Sequence, residues 1–382
     1  MPPYSPDALR RWPDIEAPEL FATDAADRLI LDESAAARHG APSGSVVVIG
    51  DEYGALTLGA ADAGATGIRV HQDSLAGERA LDANARTAGL GETFRSLPLD
   101  GSLVAGARVV LLRLPRALDA LDDIAGLIAA HADPDVVVFA GGRIKHMALA
   151  MNDVLGRSFE NLDVSHARQK SRVLIARAPR DGHDPRARAA RHHAPGLSAS
   201  LTVCAFGGAF AGTGIDIGTR FLLEQLTAAG TDDLDGEHGD VIDLACGTGV
   251  IATWLALRHP ALSVVASDRS AAAIASARAT AAANGVAERV RVVRDLGLES
   301  RPDSSARLIA LNPPFHAGTA VPMSGVADPL FAEAGRVLAP GGELWAVWNS
   351  SLHYRTTLER LVGPTRQIAR NAKFTVTVST RR

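Results

Sequence analysis

Residues 241–249 read Val241-Ile-Asp-Leu-Ala-Cys-Gly-Thr-Gly249, an apolar run that ends in two closely spaced glycines. The apolar run predicts a buried strand, and the glycines predict a tight turn into a helix near 250–258. Glycine has no Cβ atom, so a ligand can approach the backbone of this turn. The stretch therefore predicts a strand–turn–helix unit of an α/β fold with a ligand site at its turn.

Short β-branched runs alternate with alanine-rich stretches around this unit, which is the pattern of a mostly parallel sheet flanked by helices. Strands are predicted near 240–244, 262–267, 289–294, 307–311, 343–348 and 374–379, the last of them antiparallel, with helices near 250–258, 270–283 and 326–338. All the ligand-binding strand ends are then expected at one edge of the sheet.

Three acidic residues stand at the ends of the first three predicted strands, namely Asp243, Asp268 and Asp295. Because the carboxyl ends of parallel strands meet at one edge, these carboxylates are expected around Gly247 and Gly249. A carboxylate at Asp268 can accept both hydroxyls of a ribose, and one at Asp295 can accept from an adenine amino group. The five residues predict a site for a cofactor that contains adenosine.

The fourth strand is followed by Asn312-Pro313-Pro314-Phe315. An exocyclic amine or an amide is a poor nucleophile because its lone pair is delocalised, so a site must hold the NH2 group by its two hydrogens. The Asn312 side-chain oxygen and the Pro313 carbonyl can both accept, and Phe315 is expected to stack on the flat substrate. With Pro314, these residues predict methyl transfer from S-adenosyl-L-methionine to a planar nitrogen, without a metal.

A nicotinamide-dependent oxidoreductase is an alternative, because Gly247-Thr-Gly249-Val-Ile-Ala252 also satisfies the G-x-G-x-x-A fingerprint. That interpretation accounts for the glycines and for Asp268. It leaves Asp243 and the motif that begins at Asn312 unexplained, so the combined spacing favours S-adenosylmethionine.

The first half of the chain repeats the landmarks of the second in the same order. The aligned pairs are Gly54 with Gly249, Asp73 with Asp268, Leu114-Pro115-Arg116 with Asn312-Pro313-Pro314, and Gly141-Gly142 with Gly341-Gly342. This order predicts a tandem duplication, with domains at residues 1–180 and 201–382. Residues 181–200, rich in Pro, Gly, Arg and His, are predicted to be the linker.

The whole chain resembles the ribosomal RNA guanine-N2 methyltransferases built from two tandem domains. The resemblance lies in Asn312-Pro313-Pro314-Phe315-His316 and in Gly214-Ile-Asp-Ile-Gly-Thr-Arg-Phe-Leu-Leu223, which is similar to the family's segment ahead of the cofactor strand. It implies an α/β fold of two tandem Rossmann-like class I methyltransferase domains. It also implies S-adenosylmethionine as cofactor, ribosomal RNA as partner and transfer to the N2 amine of a guanine.

The same resemblance implies the residue roles. Asp243, Gly247, Gly249, Asp268 and Asp295 surround the cofactor, and Asn312, Pro313, Pro314 and Phe315 surround the target amine. For Asp216 and Thr219 it implies a wall over the cofactor, whereas their positions equally suit a turn and helix cap. The Asn-Pro-Pro-Phe motif alone also occurs in enzymes that methylate a protein glutamine at N5, so that alternative stays open.

The first half lacks the groups that this chemistry needs. At the aligned positions it has Val48 for Asp243, Glu52 for Gly247 and Leu114 for Asn312. We therefore expect a degenerate domain that binds no cofactor and that positions RNA or braces the catalytic domain. The candidate RNA contacts are Arg143, Lys145, Arg168, Lys170 and Arg172, for which an ordinary charged surface is an equal interpretation.

Composition sets further limits. The chain has 382 residues, a net charge of −4 and two cysteines. These values argue against a protein that coats nucleic acid non-specifically and against a disulfide framework. There is neither a signal peptide nor an apolar run long enough to span a bilayer, so a cytoplasmic location is expected.

Overall fold

A computed structural model describes residues 4–230, 239–314 and 327–382 of the chain. The chain divides into two compact units. The first extends to Arg186 and includes Phe206–Gly208, and the second contains Ala187–Ala205 and the chain from Ala209 onward. Each unit contains a seven-stranded sheet.

The first unit alternates helices and strands along the chain. Its elements are α1 (Ala25–Arg38), β1 (Val46–Ile49), α2 (Ala55–Asp62), β2 (Ile68–His71), α3 (Leu75–Ala88), β3 (Phe94–Ser96), α4 (Gly101–Val104), β4 (Val109–Arg113), α5 (Leu118–His131), β5 (Val137–Arg143), α6 (Ala150–Ser158), β6 (Phe159–Val164) and β7 (Ser171–Pro179). The strand order is β3-β2-β1-β4-β5-β7-β6, with β7 antiparallel to both of its neighbours.

The second unit begins with a two-stranded hairpin and then follows the same plan. Its elements are β8 (Arg188–His192), β9 (Leu201–Ala205), α7 (Ile217–Ala229), β10 (Asp240–Leu244), α8 (Val250–Arg258), β11 (Val264–Asp268), α9 (Ala271–Ala283), β12 (Val290–Arg294), β13 (Ala306–Leu311), α10 (Asp328–Val337), β14 (Leu338–Asn349), α11 (Arg355–Leu361), β15 (Thr365–Arg370) and β16 (Phe374–Thr380). The strand order is β12-β11-β10-β13-β14-β16-β15, with β16 antiparallel to β14 and β15.

The two sheets have identical strand orders, which confirms two tandem Rossmann-like domains. In the second sheet, alternate residues of the central strand β10 face opposite layers: Val241 packs in the cluster with Trp254 of α8, and Ile242 packs with Phe331 of α10. A strand buried on both faces is expected to be apolar throughout, as β10 nearly is. Asp243 is the polar exception in its interior.

The structure corrects the predicted linker and the predicted alignment of the fourth strands. The stretch 181–200, predicted as a linker, contains β8, which pairs with β9 within the second unit. The alignment of the fourth strands also shifts by one residue. Leu112 pairs with Ile49 and Leu311 pairs with Leu244, so Arg113, rather than Leu114, occupies the position of Asn312.

Among the described helices, none combines the length and the apolar character that crossing a membrane requires.

Candidate active site

The turn after β10 begins the site. Ala245, Gly247 and Gly249 all have left-handed backbone, with φ of 57°, 54° and 73°. A Cβ atom added at Gly247 would meet nothing within 4 Å, whereas one at Gly249 would lie 2.8 Å from the Cβ atom of Ala277 in α9. Gly247 therefore exposes the backbone to a ligand, while Gly249 allows the turn to pack closely against α9.

Asp243 lies beneath this turn and is 1% exposed. Its Oδ2 accepts a hydrogen bond of 2.9 Å from the Ala252 backbone N–H in α8. Its buried Oδ1 has no partner in the part of the chain that the structure describes. Burial raises the pKa of this carboxyl to about 7, against the hydrogen bond from Ala252 and with the added repulsion of Asp268.

The Asp268 side chain connects this turn to the carboxyl end of the neighbouring strand β11. Its Oδ2 accepts from the Gly247 N–H at 2.9 Å and its Oδ1 from the Ser270 N–H at 2.9 Å. Asp295 follows β12, and its N–H donates to the Asp268 carbonyl at 3.0 Å. The side chain of Asp295 is 4% exposed and accepts from the Ser300 N–H at 2.9 Å. The predicted carboxylates thus share one edge of the sheet.

Asn312 follows β13 at the same edge. Its Nδ2 donates to Asp216 Oδ2 at 3.0 Å and to Thr219 Oγ1 at 2.9 Å. Its Oδ1 is buried and has no partner among the described residues. Pro313 is buried and Pro314 is exposed. Phe315, like His316, lies outside the described residues.

A cleft of about 370 Å³, measured out to solvent, joins these parts. Its lining comes from residues 210–219, from the turn after β10 and from Asn312; it includes Phe210, Asp216 and Gly247. Sequence reasoning missed Phe210, a 55% exposed aromatic residue that lines the cleft, because it belongs to none of the motifs.

Cys246 also lines the cleft. Burial, followed by the nearby carboxylates of Asp243 and Asp268, raises the pKa of its thiol well above the usual value. A thiol that stays protonated is a poor nucleophile, so Cys246 is a lining residue rather than a reactive one.

The site as a whole suits a ligand that brings hydrogen-bond donors. At Gly247 no Cβ atom covers the backbone, and Asn312 Oδ1 is an acceptor without a partner among the described residues.

The five basic residues predicted as RNA contacts in the first unit have different surroundings. Arg168 is paired with Asp32. Arg143 and Lys145 lie with Arg116 around His146, whose pKa is lowered by burial and then by these cations. Arg172 pairs with Gly142 in the sheet, and the Lys170 carbonyl accepts from the Ile144 N–H. Arg116, Arg143 and Lys145 therefore form a concentration of positive charge.

Comparison with known proteins matches both units to family models. Residues 3–180 match the RLMG N-terminal domain, and residues 200–378 match the Methyltransferase small domain. A solved structure of a T. thermophilus 16S rRNA N2 methyltransferase (RsmC), in complex with AdoMet and guanosine, superposes with a TM-score of 0.75. It covers 94% of this chain and 92% of that one at 22% identity, which shows a shared fold.

Curated relatives match over almost their whole length. The ribosomal RNA large subunit methyltransferase G of Streptomyces avermitilis is 34% identical, covering 98% of this chain and 97% of the relative. The Pseudomonas aeruginosa protein of the same name is 32% identical, with the same coverage. Similarity at this level over the full length of both chains shows that this chain belongs to the ribosomal RNA large subunit methyltransferase G family.

Proposed function

We propose that this protein transfers a methyl group from S-adenosylmethionine to the exocyclic N2 amine of a guanine in large-subunit ribosomal RNA. The observation that carries the proposal is Asn312 Oδ1, a buried acceptor without a partner among the described residues, on a side chain that lines the cleft. Leaving such a group unsatisfied costs about 1–3 kcal/mol. A substrate NH2 group supplies the missing donor.

The cofactor is assigned to the turn after β10 and to the neighbouring strand ends. Gly247 offers a backbone that no Cβ covers, Asp268 holds that backbone in place, and Asp243 retains one unpartnered oxygen. Gly249 and Asp295 complete the proposed set by shaping the turn and the third strand end. The bound cofactor supplies an electrophilic methyl group on a sulfonium.

The residues around the amine provide orientation and charge stabilisation. Asn312 Oδ1 and the Pro313 carbonyl accept the two N–H groups, and Pro314 contacts the substrate beside them. For Phe315, which lies outside the described residues, the sequence predicts stacking on the base. With the cofactor bound, these contacts would hold the nitrogen in line with the methyl carbon and the sulfur, so that the cofactor could give up its methyl group to the nitrogen. The two carbonyl dipoles stabilise the positive charge that develops on nitrogen, and the proton then passes to water. A paired guanine must be unpaired or flipped out to reach them.

The two halves are assigned different tasks. The second unit is assigned the catalysis, and the first is assigned the role of a degenerate domain that positions RNA or braces the catalytic domain. The cationic group of Arg116, Arg143 and Lys145 supports RNA positioning. The location is taken as cytoplasmic because ribosomal RNA is the substrate.

Asn312→Ala tests the assignment. We expect kcat on ribosomal RNA to fall at least about 100-fold, because the variant loses an acceptor that acts in the transition state. The dissociation constant for S-adenosylmethionine, measured by calorimetry, should change little. Near-normal kcat would contradict the role of Asn312.

The substrate is tested separately in a deletion strain. Mapping N2-methylguanine in its large-subunit RNA should reveal one site that loses the methyl group and regains it on complementation. A lost modification on small-subunit RNA or on a protein glutamine would contradict the proposed substrate.

A further inference from the structure

We propose that Asp216 and Thr219 are positioning residues that fix the direction of the Asn312 amide. The inference rests on the proposed function, in which Asn312 Oδ1 accepts from the target amine. A primary amide has two orientations that differ by exchange of its oxygen and nitrogen. Only one of them presents an acceptor to the substrate, so something must select it.

The Asp216 carboxylate makes that selection. As an ionised group it only accepts hydrogen bonds, so it attracts Asn312 Nδ2 and repels Oδ1. Asp216 Oδ2 is itself held at the start of α7, where it accepts from the Gly218 N–H at 2.8 Å and the Thr219 N–H at 3.2 Å. The helix therefore fixes the carboxylate, and the carboxylate fixes the amide.

The neighbouring residues reinforce this geometry. Thr219 is 7% exposed and its Oγ1 takes the second Nδ2 hydrogen of Asn312. With both hydrogens of Nδ2 used, Oδ1 is the one group of the amide left for a ligand. A Cβ atom at Gly218 would lie 3.5 Å from Asn312 Oδ1, so the glycine leaves the least possible bulk beside the acceptor.

In the first unit the residue at the end of the fourth strand also bonds to a helix cap, but that residue offers no hydrogen-bond acceptor. Asp24 caps α1 by accepting from the Ala26 and Asp27 N–H groups, as Asp216 caps α7. Arg113, at the strand position of Asn312, donates to Asp24 at 2.9 Å and also to Asp27. An arginine has five donors and no acceptor. The bond between strand end and helix cap is thus common to both units, and the unpartnered acceptor distinguishes the second.

Asp216→Ser is the main test, at saturating cofactor so that cofactor affinity does not enter. Asp216 Oδ2 both caps α7 and accepts from Asn312, so asparagine could keep both bonds. Serine is an equally good helix N-cap with a shorter side chain, so we expect α7 to remain capped and the bond to Asn312 Nδ2 to be lost. We expect kcat to fall about tenfold, the effect of losing one well-placed hydrogen bond. The same change in the first unit, Asp24→Ser, is the matched control and should leave kcat within about twofold.

A double-mutant cycle separates positioning from a general loss of structure. If Asp216 acts through Asn312, adding Asp216→Ser to Asn312→Ala should change kcat by less than about twofold. If the double variant instead loses kcat by the product of the two single losses, the inference is overturned. Thr219→Val should lower kcat about fivefold and Thr219→Ser should restore it; equal effects of valine and serine would also overturn it.

The two proposals fail in different ways. If the proposed function is wrong, the wild-type protein does not methylate the N2 amine of a guanine in large-subunit ribosomal RNA. If only the positioning role is wrong, the wild type is active and Asn312→Ala is impaired, but the double variant loses kcat by the product of the two single effects.

Discussion

In each unit one carboxylate accepts backbone hydrogen bonds from the helix after the first parallel strand. That carboxylate is Asp243 in the second unit and Asp51 in the first. Asp243 Oδ2 accepts from the Ala252 N–H, and Asp51 accepts from the Leu56 and Thr57 N–H groups at 2.7 and 2.8 Å. The carboxylate has moved from the strand into the turn. The first unit has therefore kept a carboxylate that anchors its second helix, but in the turn rather than in the strand.

Burial raises the pKa of Asp51 to about 7, against the effect of its hydrogen bonds from Thr57 and Leu56. The unfolded pKa is about 4, so folding takes up a proton between these values. The stability that protonated Asp51 contributes is full below pH about 4 and is lost as pH rises to about 7. Relative to wild type, Asp51→Asn should therefore gain stability between pH 4 and 8. Urea unfolding at several pH values measures this; a constant difference would contradict it.

At the scale of elements, the glycine turn serves the packing of α8 against α9 as well as the ligand. Gly247 and Gly249 share a left-handed backbone, so alanine at either position incurs a similar backbone cost of about 1–2 kcal/mol. Only Gly249→Ala adds a collision, with the Cβ and Cα atoms of Ala277 at 2.8 and 2.9 Å. Glycine is therefore needed at the two positions for different reasons, at Gly249 for packing against α9 and at Gly247 for an uncovered backbone.

Gly249→Ala should consequently lower the free energy of unfolding by about 1–3 kcal/mol more than Gly247→Ala does. Gly247→Ala should instead weaken S-adenosylmethionine binding, because its Cβ atom points into open space beside the cleft. Chemical denaturation and calorimetry of the two variants measure these quantities. Equal losses of stability would show that α9 moves aside without cost.

At the scale of the molecule, two copies of one fold differ at the positions proposed for the site. Where the second unit has Gly247, the first has Glu52, a side chain on left-handed backbone with φ of 58°. Arg113 meanwhile takes the position of Asn312 and is bound by carboxylates. Burial tends to lower the pKa of Arg113, but Asp27, Asp24 and Glu52 outweigh it and raise that pKa.

The full-length protein should accordingly bind one equivalent of S-adenosylmethionine. Gly247→Glu, which copies the first unit, should abolish binding because it places a charged side chain over the turn. The reciprocal Glu52→Gly should still leave one equivalent, since Val48 and Arg113 remain. Titration calorimetry gives the stoichiometry, and two equivalents in the wild type would contradict a degenerate first unit.

The sequence by itself determined the fold class, most strand positions of the second half and the duplication. Patterns within a few residues predict the strands β10 and β13 and the helices α8 and α9, because local periodicity sets which face of an element is buried. The polar edge strand β15 carries no such pattern, and β8 lies in a stretch without periodicity; these were missed for that reason.

Tertiary structure alone decided what Asn312 contacts and what replaces it in the first unit. Asp216 and Asn312 are 96 residues apart, and their bond exists because sheet pairing brings the end of β13 to the start of α7. The same pairing aligned Arg113, rather than Leu114, with Asn312. β1, β4, β10 and β13 are buried on both faces, so their apolar runs lack the alternation that would distinguish one register from the next. Pairing between distant segments therefore decided the register.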